Sequence, residues 1–183
     1  MRRIEMHIKF LPAIAVIGLA TAAAYPCRLM ATPASGFVGV TVVMGTFGDI
    51  DVFNHIIPPD FWKDRHKSDV WLSWQKTKGD SDLYVQMNTW QPKATTGWHS
   101  HPGHSLIIVT SGTVTDYESD DRHCAPHVYS KGMTFVDSGG DHVHMIRNET
   151  GVVATGYAVQ LIPAGATRRI DADVPPNCQD VAP

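Results

Sequence analysis

Apolar and polar residues alternate over short segments along most of the chain, and turn-forming residues separate these segments. Apolar segments of this kind occupy residues 36–43, 70–74, 83–87, 105–115, 133–136, 142–146 and 152–162. A period of two is typical of β-strands with one buried face, and Gly, Pro, Asn and Asp between the segments indicate tight turns. No long segment after the N-terminal region has the 3.6-residue period of a helix; residues 60–67 suggest a loop or a single helical turn, and residues 164–183 an irregular tail. The pattern therefore predicts an all-β sandwich or barrel.

The N-terminal segment has a different pattern. Basic residues at the start of the chain, ending with Lys9, precede an uncharged run from Phe10 to Cys27 that contains three consecutive alanines at 22–24. A basic start, an apolar run and small residues are typical of a secretory signal peptide. We expect residues 1–35 to be a signal peptide and linker, cleaved between residues 24 and 35. The alternative is a retained membrane anchor, although the run is short for a bilayer span and contains Pro12.

Composition narrows the class of protein. The chain has 183 residues, of which 43% are hydrophobic and 18% charged, and its net charge is -3. These values exclude a disordered chain and provide no basic surface for nucleic acid, and they favour one globular domain over residues 36–183. After signal removal we expect a secreted or periplasmic protein that does not bind membranes. In such a compartment Cys124 and Cys178 are expected to form a disulfide; two free thiols are the alternative.

Histidines are the most informative residues in the sequence. Seven of the ten lie close together, at positions 99, 101, 104, 123, 127, 142 and 144. His99 and His101 share one face if their segment is a strand, and His144 lies in a second apolar segment. Two or three imidazoles that converge can bind one ion at about 2.1 Å from each nitrogen. We therefore predict a metal site formed by His99, His101 and His144; hydrogen-bonded structural histidines are the alternative.

The residues around these histidines resemble the two sequence motifs of the cupin superfamily. The first motif contains His-x-His, a Glu and a later Gly, and the second contains Gly, Pro-x-Gly, His and Asn. The matching residues are His99, His101, Gly112, Gly132, Gly140, His144 and Asn148. The resemblance covers about residues 83–163. It implies a double-stranded β-helix, or jelly-roll barrel, with a divalent transition metal (Fe, Mn, Ni or Zn) bound by the three histidines.

The sequence also departs from the cupin motifs. Lys93 stands at the position of the first glycine, Ser138 replaces the Pro, and one extra residue separates Gly140 from His144. At the position of the usual Glu the chain has Ser105, and a hydroxyl is a poor ligand for a divalent ion. A site of three histidines would keep the full charge of its metal and more open coordination positions, which favours an anionic or chelating ligand.

Other residues and functions remain open from the sequence. His104 and His142 are candidates for an additional ligand or for the wall of the pocket, as is Ser105. The resemblance implies oxygenase, isomerase or related chemistry on a small organic substrate. The alternatives are a cupin that binds a small molecule or metal without turnover, and a purely structural barrel. Cupins often dimerise through their sheets, so the resemblance also implies a homodimer.

Overall fold

The part of the chain that the computed structural model describes, residues 32–57 and 70–181, forms twelve β-strands and no α-helix. Residues 1–31 of the predicted signal peptide and linker, and the segment 60–67, lie outside the described residues. The strands are β1 (Ser35–Phe47), β2 (Asp51–Ile56), β3 (Trp71–Lys76), β4 (Ser81–Thr95), β5 (His99–Ser100), β6 (Ser105–Ser111), β7 (Thr113–Glu118), β8 (His127–Ser130), β9 (Thr134–Asp137), β10 (His144–Arg147), β11 (Ala154–Pro163) and β12 (Ile170–Asp171); one 3-10 helix spans Pro176–Cys178. None of the described helices is long and apolar enough to cross a membrane.

Two antiparallel sheets form the barrel. One contains β1, β4, β11, β6 and β9 in that order, and the other contains β12, β5, β10, β7 and β8. A single residue pair between β4 and β10, Thr95 and Arg147, joins the two sheets at one side. Strands β2 and β3 form a separate two-stranded sheet. From β4 to β12 the chain passes repeatedly from one sheet to the other, with β7 and β8 as a hairpin within one sheet, and the predicted cupin-type jelly roll is confirmed.

The period of two determines which side chains enter the barrel. Along β6 the residues Ser105, Ile107 and Val109 are buried, whereas Leu106 and Ile108 are exposed. The hydrophobic core between the sheets contains Trp90, Ala94, Ile107, Val109, Val114, Phe135, Ile146, Ala154 and Ala158. Burial of large apolar side chains of this kind contributes about 1.5–3 kcal/mol each. The core therefore fixes the strands whose inward faces also carry the polar site residues.

Two positions of the cupin motif show why glycine is expected there. Gly112 joins β6 to β7 with a φ of 68°, and a Cβ atom would lie 2.7 Å from the carbonyl oxygen of Val153, so only glycine fits this turn between the sheets. Lys93, where the motif has its first glycine, also has a positive φ of 66°. This left-handed conformation costs a non-glycine residue roughly 1–2 kcal/mol. The Lys93 ammonium donates a hydrogen bond to the carbonyl oxygen of Glu149, which offsets part of that cost.

A disulfide between Cys124 and Cys178 attaches the C-terminal segment to the barrel, as the cysteine positions predicted. The two cysteines pack with Trp98, Tyr117 and Met145 in a second buried cluster. Trp98 directly precedes His99 along the chain, and Met145 directly follows His144. The disulfide therefore stabilises the layer beneath the predicted metal site.

Some strand boundaries differ from the sequence predictions. The segment 105–115 is two strands, because the chain changes sheets at Gly112. Strand β5 ends at Ser100, so His101 follows the strand instead of lying within it. Strand β10 begins at His144, so His142 precedes it in a turn. The tail is also less irregular than predicted, since β12 pairs with β5.

Candidate metal centre

Three histidines from two neighbouring strands meet inside the barrel. His144 on β10 is the register partner of His99 on β5, and His101 lies just beyond the end of β5. The ring centroids are 4.6 Å apart for His99 and His144, 4.8 Å for His99 and His101, and 5.8 Å for His101 and His144. One ring nitrogen from each residue lies within 4.8 Å of the others, so the three residues could hold a metal ion.

The Nδ1 nitrogens of these histidines lie near oxygen atoms that can accept hydrogen bonds. Nδ1 of His99 lies 2.9 Å from the carbonyl oxygen of Gly97, and Nδ1 of His101 donates to the carbonyl oxygen of Arg168. Nδ1 of His144 lies 3.3 Å from a carboxylate oxygen of Asp116, which is itself fully buried. Since a carbonyl oxygen can only accept, Nδ1 of His99 and of His101 carries the proton, and Nε2 of each retains a free lone pair, which is the tautomer that a metal ligand needs. His144 lies close to the Asp116 carboxylate, but neither of its ring nitrogens has a hydrogen-bond partner among the described residues.

Burial and charge set the pKa values of the three rings. Burial lowers the pKa of His99 well below its ordinary value, and the neighbouring His144 and Arg169 lower it further. Burial also lowers the pKa of His101, although its bond to the Arg168 carbonyl and the carboxylate of Asp137 oppose this. Burial acts in the same direction on His144, but the adjacent Asp116 carboxylate outweighs it and raises the pKa of that ring. Two of the three rings are therefore held neutral and ready to coordinate.

The structure supplies a carboxylate where the sequence motif indicated none. Ser105 is buried and faces the cavity, but its hydroxyl donates a 3.2 Å hydrogen bond to Oδ2 of Asp137, its register partner on β9. The same oxygen lies 3.6 Å from Nε2 of His101 and 3.9 Å from Nε2 of His144. Asp137 thus places a negative charge beside the histidines. The sequence suggested that a bound divalent ion would keep its full charge, but this carboxylate would reduce it.

A cavity of about 260 Å³ opens beside the histidines. Its lining includes Gln86, Trp90, Ile107, Gln160, Arg168 and Arg169. Each nitrogen of the Arg168 guanidinium already donates one hydrogen bond, to Gln160, Thr41 and Gln86 at 2.8 to 3.0 Å. Arg169 donates through Nε to Asp171, while its buried Nη2 has no hydrogen-bond partner among the described residues. Arg169 is therefore the cation that can still receive an anion in this cavity.

The two additional histidine candidates do not join the cavity. His104 is exposed and lines a different depression, beside Trp74 and Leu161. It directly precedes β6, whose inward-facing residues are Ser105, Ile107 and Val109, so it is out of phase with them. His142 lies in the turn before β10, where its Nε2 is 3.2 Å from Asp120 and its Nδ1 is 3.7 Å from Asp137. His142, Glu118 and Asp120 form a second group of potential ligands next to the first. The idea of a fourth histidine ligand is therefore not supported.

Sequence reasoning missed three residues of the site: Asp116, Asp137 and Arg168. Asp137 and Phe135 share the buried face of β9, so period two could have identified the aspartate as inward-facing. However, Val136 is also apolar, so the local pattern alone does not decide whether Phe135 and Asp137 or their neighbours on the opposite face point to the core. No local signal indicates Arg168, whose carbonyl group reaches His101 from a segment 67 residues away.

Comparison with known proteins gives similarity of fold alone. No protein-family model matches the chain, and no curated protein sequence matches it. Similar solved structures include a Klebsiella pneumoniae protein with a double-stranded β-helix domain (17% identity, 50% of this chain and 76% of that one, TM-score 0.42). A cupin-like protein from Thermotoga maritima is also similar (21% identity, 50% of this chain and 65% of that one, TM-score 0.42). So is an oxalate oxidase (17% identity, 45% of this chain and 46% of that one, TM-score 0.38).

The similarity covers only part of these proteins. The chain spans about two thirds of the cupin-like protein and less than half of the oxalate oxidase. Cupin and double-stranded β-helix proteins are thus among the structures that this chain is similar to in fold.

Proposed function

We propose that the chain is an exported metal protein whose histidines, His99, His101 and His144, hold one divalent transition metal. The observation that carries this proposal is the convergence of the three rings, one nitrogen of each lying within 4.8 Å of the others, with Nδ1 of His99 and of His101 held by carbonyl oxygens. Nε2 of His144 is buried without a hydrogen-bond partner among the described residues. An unpaired buried acceptor costs free energy, and a bound cation would remove that cost.

The ligand of this site is a small organic anion. The cavity, at about 260 Å³, is below the roughly 300–1,000 Å³ of pockets for drug-sized molecules. Arg169 lines it, its buried Nη2 has no hydrogen-bond partner among the described residues, and a guanidinium binds carboxylates well. A carboxylate ligand could therefore contact the metal and Arg169 together.

Two activities fit this site. The first is a mononuclear metal oxygenase or isomerase, for which the bound metal would supply redox or Lewis-acid chemistry while the cavity orients a small substrate. The second is a protein that binds the anion without turnover. Of the described residues that line the cavity, the titratable ones are the three histidines, Asp137 and the two arginines, so the first activity would have to use Asp137 as its general acid or base.

Metal content and oxygen consumption distinguish the two activities. Purified protein would be analysed for bound metal, and oxygen uptake would be measured with catechols, thiols and keto acids. The His101→Ala variant should lose bound metal, whereas the exposed control His123→Ala should keep it. Uptake that requires metal supports an oxygenase, and retention of one of these anions without turnover supports a binding protein. Equal metal content in wild type and His101→Ala would contradict the metal site.

Export also belongs to this proposal. The disulfide between Cys124 and Cys178 is consistent with an oxidising compartment. Thr32 accepts a hydrogen bond from the backbone of Trp98, next to the metal site, so a mature chain that keeps Thr32 would keep this contact. Mass spectrometry of the native protein should reveal a new N-terminus between residues 24 and 35, and a cut before residue 32 would keep this contact. An intact Met1 in a cytosolic fraction would contradict export.

A second copy of the chain is the partner that we propose for the sheet surface. Strand β1 is exposed on both faces, and Val38 and Val43 are each 57% exposed. Contiguous exposed apolar residues often mark interaction sites. Light scattering after size-exclusion chromatography should show a homodimer, and Val40→Lys should shift it to a monomer. A monomeric wild type at micromolar concentration would contradict this proposal.

A further inference from the structure

Asp137 is the buried acid closest to the proposed metal. It ends strand β9, it is 1% exposed, and it faces inward together with Phe135. Its register partner on the adjacent strand is Ser105, the residue at the position of the Glu in the cupin motif. The acid beside the histidines therefore lies on β9, whereas the cupin motif has its Glu at the position of Ser105 on β6.

The Asp137 carboxylate accepts only some of the hydrogen bonds that its two oxygens could accept. Oδ1 accepts from the backbone N–H of Gly139 at 2.9 Å, and Oδ2 accepts from the Ser105 hydroxyl. The other side of Oδ2 faces Nε2 of His101 and of His144, at 3.6 and 3.9 Å. These separations are too long for hydrogen bonds. Nε2 of His101 is an acceptor because its Nδ1 donates to the Arg168 carbonyl, and Nε2 of His144 is buried without a hydrogen-bond partner among the described residues. Neither nitrogen is therefore hydrogen-bonded to Oδ2.

The distances match the spacing of atoms that share a metal ion. Two ligands at about 2.1 Å from a tetrahedral metal are about 3.4 Å apart. The separations of Oδ2 from the two nitrogens are a few tenths of an ångström larger, so small side-chain movements would let these three atoms share one ion. The carboxylate does not belong to the set of ligand atoms within 4.8 Å of one another that the three histidines form, so it would have to move further to share an ion with His99 as well. A cation at that point would satisfy all of these acceptors at once and would compensate the buried negative charge.

A chain of hydrogen bonds orients the carboxylate. Arg168 donates to Oε1 of Gln160, the Gln160 amide donates to the Ser105 hydroxyl at 3.4 Å, and that hydroxyl donates to Asp137. Because Gln160 donates to it, the Ser105 oxygen directs its own proton toward Oδ2. Ser105 thus acts as a positioning residue for the carboxylate.

We infer that Asp137 is the fourth protein ligand of the metal, in place of the glutamate that the cupin motif places at position 105. This inference rests on the proposed three-histidine site. The metal would then have three histidine ligands and one carboxylate ligand, and the carboxylate would reduce the net charge of the bound divalent ion by one. Arg169 would be the nearby cation for an anionic ligand.

Titration with Co²⁺ tests this inference, because the visible absorption of the ion reports its coordination. In Asp137→Asn the amide keeps the shape of the side chain, and the Co²⁺ affinity should fall at least about tenfold, with a changed absorption band. The exposed Asp141→Asn is the matched control and should behave as wild type.

The outcomes separate the inference from the proposed function. If Asp137→Asn equals wild type in affinity and spectrum while His101→Ala loses binding, Asp137 is not a ligand although the metal site stands. If His101→Ala also equals wild type, the metal site itself is wrong. If Asp137→Asn does not fold, infrared difference spectra of wild type on Zn²⁺ addition decide: a shifted carboxylate stretch supports coordination, and its absence overturns it.

Discussion

Ser105 is the residue at which the chain departs most clearly from the cupin motif, and the structure explains how the departure is compensated. Its hydroxyl hydrogen-bonds to Asp137, so the pair occupies the space that a single long acid would fill. A small neutral residue is needed at position 105 because Asp137 already brings a charge into a buried environment. Two adjacent buried carboxylates would repel each other in the absence of a metal.

Ser105→Glu should therefore make the protein more dependent on metal. A second buried carboxylate beside Asp137 should lower the Tm of the metal-free protein, and a divalent ion should compensate both charges. The rise in Tm on adding Zn²⁺ should exceed that of wild type, since a ligand that binds only the folded state stabilises it. Ser138→Glu, at an exposed position, serves as control. A metal-induced rise no larger than that of wild type would show that position 105 does not reach the ion.

The lowered pKa of His99 predicts how the metal-free protein responds to acid. Burial depresses the pKa in the folded state, so the unfolded chain binds the proton more readily. The stability that His99 contributes is present above its unfolded pKa of about 6.5 and is lost as pH falls below it, by at most about 1.4 kcal/mol per pH unit. His144, whose pKa is raised, acts in the opposite direction and offsets part of the loss.

His99→Gln should consequently flatten this acid loss. Urea denaturation in the presence of EDTA, between pH 7 and pH 5, would measure the free energy of unfolding for both proteins. The wild type should lose more stability across this range than the variant does. The exposed His123→Gln should follow the wild-type curve. Parallel curves for wild type and His99→Gln would contradict the assignment of His99 as a buried neutral ring.

At the scale of elements, the turn between β9 and β10 holds the site together. The N–H of Gly140 donates to the carbonyl oxygen of His101, and the N–H of Gly139 donates to Asp137. Gly139 has a φ of 68° and lies directly against the backbone of Gly103. The turn thus connects the loop after β5 with the strand end that carries the carboxylate.

Gly139→Ala should disturb both stability and metal binding. The left-handed conformation alone costs alanine about 1–2 kcal/mol, and its Cβ would overlap the Gly103 carbonyl group. The free energy of unfolding should fall by at least that amount, and Co²⁺ affinity should fall with it, because the turn must move and carries Asp137. Gly151→Ala, where a Cβ meets no atom within 4 Å, should change neither property. If a folded Gly139→Ala protein bound Co²⁺ with wild-type affinity, the turn would not be required to position the metal ligands.

At the scale of the whole molecule, the disulfide closes a long loop over the second core cluster. It joins residues 54 positions apart, from the segment after β7 to the C-terminal 3-10 helix. The C-terminal region also provides the Arg168 carbonyl for His101 and the β12 partner of β5. The disulfide therefore restrains a segment that contributes directly to the site.

Removal of the disulfide should cost much of the stability of the fold. The chain-entropy estimate for a loop of this length is about 4 kcal/mol, so the Cys124→Ala, Cys178→Ala double variant should unfold at a clearly lower urea concentration. Wild type in reducing agent should approach the same midpoint. Identical midpoints for wild type with and without reductant, with both thiols shown to be free after reduction, would contradict a stabilising role.

The sequence alone was sufficient for the features that depend on local pattern. Period-two alternation identified the barrel class and placed Ser105, Ile107 and Val109 on one inward face, because a strand exposes alternate residues to opposite sides. The motif spacing selected His99, His101 and His144 from ten histidines, and the even pair of cysteines predicted the disulfide.

Only the tertiary structure decided what stands opposite these residues. Asp137 faces the histidines because β9 pairs with β6 in a register that sets it against Ser105, 32 residues away, and no local pattern specifies that register. Asp116 and Arg168 reach His144 and His101 in the same non-local way. Local alternation determines which face a side chain is on, whereas packing of distant strands determines its partners. For that reason the sequence alone predicted three ligands and no carboxylate, and the fold brought the carboxylate to them.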